Sequence, residues 1–390
     1  MPPPSDRRPP GSRPTLGLVL SYVGFVSLGL PDTILGASWP AIRADLHLPL
    51  PAAGSAVTVT MVGIVTSSAA SGWVRARFGT ATVLIGSTLL AATALAMGAV
   101  APSWTVFLAA ALVAGLGGGA IDASLNHLVA RRHSARHMNW LHACWGVGAS
   151  LTPVLVAGLL KRGLSWRLPY AIVAGAELAL AMAFVANRRG WSDEDEPSPS
   201  PKTAMGHGRP RGAMAASVAF FALYGGVEAS VGLWATSLLT MTRGASPATA
   251  GAMVAGYWGA LTIGRFALGA SVHRWGPLRL LRFCTRGAVV ALALLALPGT
   301  PLWFWGGALG VLGFALAPIY PVTMHDTASR FDEAGARLVG YQVAACSVGV
   351  AVLPGLVGVI GAWISPLLIP PAVMALALGV VALEVRRRSP

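Results

Sequence analysis

Two short loops decide the fold of this chain: GWVRARFG, from Gly72 to Gly79, and GASVHRWG, from Gly269 to Gly276. Both fit the pattern G-x-x-x-x-R-aromatic-G. Each follows the second long apolar stretch of its half of the chain. A motif that recurs at the same place in two halves indicates an internal duplication.

A second correspondence lies in the first long apolar stretch of each half. Two glycines flank an acid with the same spacing in both places: Gly29, Asp32 and Gly36 in the first half, and Gly225, Glu228 and Gly232 in the second. The two halves therefore match in the same chain direction. This predicts parallel repeats of six membrane spans each.

The composition places the chain in a membrane. Hydrophobic residues make up 55% and charged residues 11% of the 390 positions, whereas soluble domains carry about 25% charged residues. A helix needs about 20 apolar residues to cross a bilayer. The predicted fold is an all-α polytopic membrane protein with twelve transmembrane helices in two pseudo-symmetric halves, at residues 16–41, 52–74, 81–100, 104–129, 139–160, 168–187, 213–240, 248–272, 284–299, 302–324, 338–361 and 364–384.

The basic residues predict which side each loop faces. Although the formal net charge is +14, Lys and Arg lie between the spans and not on one folded face, which argues against a nucleic-acid partner. Their bias places both termini in the cytoplasm of a multi-pass plasma (inner) membrane protein. The predicted halves are residues 16–187 and 213–390. We expect a disordered cytoplasmic tail at residues 1–15 and a flexible cytoplasmic linker at the Pro/Ser-rich residues 188–212.

These features resemble the major facilitator superfamily, whose cytoplasmic loop signature reads G-x-x-x-D-R-x-G-R-R. The resemblance implies gating loops, with Arg77 and Gly79 in one half and Arg274 and Gly276 in the other. Ala76 stands where the family has its acid, and no basic pair follows Gly79. The first loop therefore lacks the carboxylate of the usual salt bridge.

Four acids fall inside predicted spans: Asp32, Asp122, Glu177 and Glu228. A charge in hydrocarbon is costly, so an ionisable residue there indicates function. Removal from water disfavours the charged form of a carboxyl group and lets it exchange a proton under physiological conditions. We predict proton coupling at Asp122 and Asp32. For Asp122 the alternative is a structural carboxylate, hydrogen-bonded to a neighbour such as Asn126 on the same helix face.

Longer motifs narrow the resemblance. The stretches LGLPDTILGASWPAI, GLGGGAIDASLNHLV, NWLHACWGVGAS, YGGVEASVGLW, IGRF and APIYP together resemble the fucose:proton symporter family and its wider relatives. The resemblance implies that Asp32 lies at the solute site and that Asp122, in place of a Glu, takes up the coupling proton. Gly29 replaces an Asn of the symporters and His142 replaces a Gln, so L-fucose itself is not implied.

Further polar and aromatic side chains are candidates for the solute site. Glu228 either holds a cationic group or stabilises the interface between halves. Arg265 either snorkels to the membrane surface or pairs with a carboxylate. For Glu177 we favour a structural or snorkelling role. The predicted substrate-binding residues are Asp32, Asn126, His142, Glu228, Trp234, Tyr257, Tyr341 and Gln342; Trp39, Trp145, Trp258 and Tyr320 are further aromatics near the expected cavity.

The leading hypothesis is a secondary active transporter that moves a small polar, sugar-like solute by alternating access, with proton coupling. Its partners would be the solute, protons and the bilayer, and it would act as a monomer without a cofactor. The alternative is proton-driven efflux of a drug or secondary metabolite, with Glu228 as the cation anchor. A sensor with a carrier fold is a third class. The sequence contains no HExxH, P-loop or GxSxG motif that would indicate an enzyme. The three cysteines, Cys144, Cys284 and Cys346, lack the spacing of a metal site or a disulfide framework.

Overall fold

The computed structural model describes residues 16–133, 135–191, 211–330 and 332–386. The predicted tail, residues 1–15, lies outside these ranges. Two short 3-10 helices, Arg188–Trp191 and Pro366–Leu368, accompany the α-helices. The α-helices are α1 (Leu16–Asp45), α2 (Ala52–Phe78), α3 (Thr80–Ala99), α4 (Trp104–Arg132), α5 (Ala135–Lys161), α6 (Arg167–Ala186), α7 (Arg211–Arg243), α8 (Pro247–Trp275), α9 (Pro277–Ala296), α10 (Leu302–Leu316), α11 (Ile319–Arg330), α12 (Asp332–Trp363) and α13 (Ile369–Arg386).

These helices make twelve spans, which confirms the predicted architecture. In the described residues, ten segments are long and apolar enough to cross a membrane, and α10 and α11 together supply one of them, Leu302–Met324. The remaining two spans are α8 and α9, with 29 and 20 residues. Arg265 in α8 and several arginines in α9 lower the apolar character of these two helices.

The first residues of the predicted linker belong to the N-terminal half. Arg188–Trp191 form a 3-10 helix, and the buried Trp191 packs edge-on against Phe184 of α6, with ring centroids 5.3 Å apart. The indole Nε1 of Trp191 donates to the carbonyl oxygen of Phe184 at 3.2 Å. Residues 192–210 of the linker lie outside the described ranges.

Each half contains the same close helix crossing. A Cβ built on Gly148 of α5 would lie 2.0 Å from the carbonyl oxygen of Val26 in α1. A Cβ on Gly349 of α12 would lie 1.9 Å from the carbonyl oxygen of Ala222 in α7. Only glycine allows backbones to approach so closely, and such small-residue contacts hold membrane helices together. The duplication seen in the sequence therefore extends to the packing of α1 on α5 and of α7 on α12.

Both predicted signature loops are helical up to their last residue, since α2 ends at Phe78 and α8 ends at Trp275. The glycines that end the two segments share one backbone conformation. Gly79 has φ 80° and ψ 152°, and Gly276 has φ 76° and ψ 144°. Positive φ explains why both loops end in glycine. Arg77 is exposed beside Gly79, whereas the side chain of Arg274 lies outside the described part of the chain. We call the end of the molecule with these loops the basic end.

The halves touch at the opposite end, which we call the closed end. Thr58 of α2 donates to the carbonyl oxygen of Ala351 in α12 at 2.5 Å. Three glycines there sit against backbone of the other half: a Cβ on Gly36 would meet Gly232 at 2.5 Å, one on Gly54 would meet Gly355 at 2.5 Å, and one on Gly251 would meet Pro153 at 2.6 Å.

Toward the basic end, α2 and α12 carry exposed side chains. Trp73 of α2 is 71% exposed and Tyr341 of α12 is 61% exposed. Among the described residues, the glycine contacts between backbones of the two halves lie at the closed end and not at the basic end.

We predict that Gly148→Ala destabilises the protein, because the added Cβ forces α1 and α5 apart. Overpacking of this kind costs about 1–3 kcal/mol, measured as a lower midpoint of thermal unfolding in detergent. Gly158→Ala is the matched control, since a Cβ there meets nothing within 4 Å on the same helix. Equal midpoints for the two variants would contradict the close crossing.

Candidate functional site

A hydrogen bond between α1 and α5 marks the centre of the N-terminal half. The indole Nε1 of Trp145 donates to Oδ2 of Asp32 at 2.7 Å. Asp32 follows Pro31 near the middle of α1, and its side chain is nevertheless exposed. A carboxylate that is exposed at mid-membrane depth and hydrogen-bonded to a neighbouring helix lines an internal cavity.

An ion pair lies opposite this hydrogen bond. Nη2 of Arg265 in α8 is 3.6 Å from Oε2 of Glu228 in α7, and the side chains are 21% and 17% exposed. The phenol of Tyr224 donates to the same carboxylate oxygen. The structure thus shows the carboxylate partner that was one of the two readings for Arg265. The cationic group that Glu228 holds is therefore the guanidinium of Arg265 and not a bound solute.

Arg265 connects the two halves. Its guanidinium carbon lies 5.6 Å from the centroid of the Trp145 ring, within the range of a cation–π contact. Trp258, on the same helix as Arg265, packs edge-on against Trp145 with centroids 5.6 Å apart. A continuous chain of contacts therefore runs from Asp32 through Trp145 and Arg265 to Glu228. We call these four residues the central chain.

Asp122 lies beside the central chain on α4. Nδ2 of Asn126 donates to Oδ1 of Asp122 at 3.0 Å, as the spacing of four residues predicts. The carboxylates of Asp122 and Asp32 are close enough for their charges to repel each other. Both readings of Asp122, structural carboxylate and proton acceptor, are compatible with this geometry.

The glycines around Asp122 bring α4 close to α2. A Cβ on Gly115 would lie 2.1 Å from the carbonyl oxygen of Thr60, and one on Gly119 would lie 2.5 Å from that of Ile64. This packing fixes the position of α4 in the N-terminal half. Asp122 is therefore held by backbone contacts and not only by its own hydrogen bond.

His142 lies on the cavity wall, three residues before Trp145 on α5. Its ring packs edge-on against Phe25, with centroids 5.3 Å apart, and its side chain is exposed. It is also close enough to Arg265 to interact electrostatically. The structure thus brings together five of the predicted site residues: Asp32, Asp122, Asn126, His142 and Glu228.

Two of the predicted aromatic residues are packed away from the cavity. Trp234 is fully buried, and its Nε1 donates to the carbonyl oxygen of Pro354 at 2.9 Å. Tyr257 is also fully buried, with its hydroxyl 3.4 Å from the carbonyl oxygen of Glu228. Trp234 therefore supports the contact of α7 with α12, and Tyr257 supports the backbone next to the ion pair.

Gln342 and Tyr341 lie on α12 toward the basic end and point in different directions. Nε2 of the buried Gln342 donates to Ser217 Oγ at 2.6 Å and to Thr327 Oγ1 at 2.8 Å. This ties α7, α11 and α12 together inside the C-terminal half. Tyr341 is exposed near the basic end.

Glu177 of α6 is buried beside Ser27 of α1. This position fits a structural role and not snorkelling.

Two residues of the site do not stand out in the sequence, Trp145 and Tyr224. Trp145 was one aromatic residue among several, although it is the link between Asp32 and Arg265. Tyr224 went unnoticed, yet it precedes Glu228 by four residues in YGGVE, and that spacing places two side chains on one helix face.

Comparison with known proteins gives three results. The family model described as Major Facilitator Superfamily matches residues 21–354. A Saccharomyces cerevisiae protein, "Bypass of stop codon protein 6", is 25% identical over 388 residues, which cover 88% of this chain and 77% of that protein. Two solved structures share the fold at low identity.

The first of these structures is a D-xylose-proton symporter, with a TM-score of 0.76 and 15% identity over 96% of this chain and 97% of that one. The second is a bacterial homologue of the human lysosomal transporter Spinster in an inward-facing, occupied conformation. Its TM-score is 0.73 and its identity 14%, over 96% of this chain and 95% of that one. Likeness at this level of identity concerns the fold alone.

We predict that the ion pair behaves as one energetic unit. Arg265→Gln leaves Glu228 without its counter-charge, which costs less than the about 3–5 kcal/mol of a fully buried pair because both side chains are partly exposed. The double variant Glu228→Gln/Arg265→Gln loses less than the sum of the two single losses, because the unpaired charge is gone. Thermal unfolding of all four proteins in detergent completes the cycle. Additive losses would mean that the two groups do not interact.

Proposed function

The chain belongs to the major facilitator superfamily, and we propose that it is a proton-coupled secondary transporter of a small polar, sugar-like solute. The observation that carries this proposal is the central chain, in which charged side chains from both halves meet at mid-membrane depth. Such groups are costly in a membrane and mark solute or ion pathways. The site lies at the interface between two repeats, where transporters of this architecture bind solute.

Alternating access follows from how the halves meet. At the closed end, the halves meet through backbone contacts at glycines such as Gly36 and Gly54 and through the hydrogen bond of the Thr58 side chain. Rocking of one half on the other can open this end while the basic end closes. The central chain lies at the pivot, since Trp145 and Arg265 join the halves there. The basic residues around the loops assign the basic end to the cytoplasm.

Proton coupling is assigned to the two carboxylates of the N-terminal half. Asp32 and Asp122 repel each other when both are charged, so a proton on Asp122 stabilises an ionised Asp32. An ionised Asp32 accepts hydrogen bonds from solute hydroxyls in place of the indole N–H of Trp145. Proton binding and solute binding thereby favour one another.

The solute class follows from the groups that face the cavity. Asp32, His142 and Asn126 offer hydrogen-bonding groups, and the half-buried Trp145 offers an apolar ring for the face of a sugar. One fold neighbour is a D-xylose-proton symporter, which is consistent with this class. Efflux of a cation anchored at Glu228 has less support, because Arg265 and Tyr224 already occupy that carboxylate.

We predict that Asp122→Asn uncouples the transporter. Asparagine resembles the protonated acid but cannot exchange a proton, so solute exchange continues while solute-driven proton uptake into proteoliposomes is lost. Asp45→Asn is the control: its carboxylate pairs with Arg167 at the closed end, 2.5 Å away, and its loss leaves proton uptake intact. Unchanged proton uptake in Asp122→Asn would remove this residue from the coupling mechanism.

We also predict which ligands stabilise the purified protein. In a thermal-shift screen, neutral monosaccharides or nucleosides raise the unfolding midpoint, because ligand that binds only the folded state stabilises it. Asp32→Asn abolishes this stabilisation. If lipophilic cations stabilise the protein instead, and Glu228→Gln abolishes that effect, the function is efflux.

A further inference from the structure

Helix α9 carries three arginines that neither the central chain nor the signature loops use. Arg279, Arg282 and Arg286 follow one another at intervals of three and four residues, which places them within about 60° of arc on the helix. All three side chains are exposed. They form a basic stripe on the half of α9 nearest the basic end.

The stripe lines a crevice between α9 and α13. Nε of Arg282 lies 3.8 Å from Oε1 of Glu384, and Nη1 of Arg286 lies 3.6 Å from Oε2 of the same carboxylate. Nη1 of Arg286 also donates to the carbonyl oxygen of Arg282 at 3.0 Å, so this long side chain turns back toward the basic end. Thr285 donates to Glu384 as well, at 2.9 Å.

The charges in this crevice do not balance. Glu384 is 2% exposed, whereas the side chains of Arg282 and Arg286 are 61% and 51% exposed. One buried carboxylate therefore faces two arginines that still present N–H groups outward, with Arg279 one turn away. An anionic group outside the crevice would complete the hydrogen bonding of these guanidinium groups.

The stripe shares its face with lipid-exposed side chains. Phe283 is 66% exposed and Val290 is 57% exposed on the same side of α9. Exposed apolar residues on a membrane-spanning helix contact lipid chains. Trp275 packs edge-on against Phe283, with centroids 6.2 Å apart, and tryptophan is enriched at the level of the headgroups. The arginines thus lie where lipid headgroups meet the protein.

The fold itself does not require these arginines. Helix α3 is the equivalent of α9 in the N-terminal half, since Gly79 and Gly276 precede the two helices in the same conformation. Counted from these glycines, the positions that match the arginines are Thr82, Ile85 and Leu89. The same helix is built in the first half without a basic stripe, so the helix can form without these arginines, and pairing with the single carboxylate of Glu384 accounts for only part of their charge.

We infer that the crevice between α9 and α13 binds the phosphate headgroup of an anionic phospholipid. Basic pockets between membrane helices on the cytoplasmic side have this chemistry. The arginines hold the phosphate, the acyl chains lie along Phe283 and Val290, and Glu384 holds Arg282 and Arg286 in place while it competes with the phosphate for their N–H groups. Lipid binding would bridge α9 and α13 within the C-terminal half.

The test is native mass spectrometry of the full-length protein titrated with phosphatidylglycerol, with phosphatidylcholine of the same acyl chains as reference. The wild type binds phosphatidylglycerol more tightly, and Arg282→Gln/Arg286→Gln weakens this binding about tenfold or more. The control Arg77→Gln/Arg188→Gln removes two exposed charges at the same end and leaves the binding unchanged. Equal binding of both lipids, or an equal loss in the control, overturns the proposal.

A second variant guards against a merely structural effect. Glu384→Gln keeps every arginine and removes the competing carboxylate, so phosphatidylglycerol binding becomes tighter than in the wild type. A misfolded crevice cannot produce this gain. If Glu384→Gln weakens binding as much as the arginine variant does, or if glycerol 3-phosphate in solution binds as tightly as the lipid, the assignment to a lipid headgroup is wrong.

Discussion

The cost of placing charge in a membrane is the constraint on which this structure depends. Four charged or polar groups, Asp32, Trp145, Arg265 and Glu228, satisfy one another across the interface between the halves. None could be removed alone without exposing a partner to the low-dielectric interior. The same chain of contacts joins the two halves, so in the proposed mechanism the groups that bind solute also form the pivot.

The scaffold is duplicated, but its chemistry is not. Both halves use glycine to bring the same helices into contact, as Gly148 and Gly349 do, and both end the signature loop with a glycine at positive φ. The second half, by contrast, contributes an internally neutralised pair, Glu228 and Arg265. Asp32 and Asp122, which form no ion pair within the part of the chain that the structure describes, lie in the first half. The two halves therefore share their helix geometry but not their charge balance, and the proposed proton and solute sites lie in the first half.

Apolar length, loop signatures and the acid–glycine repeat were sufficient to predict the twelve spans and two halves, because membrane insertion leaves few alternatives to helices. The acids were also found, since each is costly in a span. Partners across helices were harder to predict: nothing in the sequence selects Trp145 over Trp234, although one lines the cavity and the other packs against Pro354. The rotation of each helix about its axis decides which tryptophan faces the cavity, and this rotation depends on packing against helices that are distant in sequence.

Alternation of the two halves around the central chain can be followed by paired distance measurements between spin labels. In a variant with Cys144, Cys284 and Cys346 replaced by serine, spin labels at Phe78 and Trp275 report the basic end, and labels at Arg162 and Trp363 report the closed end. When a solute identified by thermal shift is added, we expect the distance at the basic end to shorten and the distance at the closed end to lengthen. Two distances that stay fixed, or that change in the same direction, would contradict it.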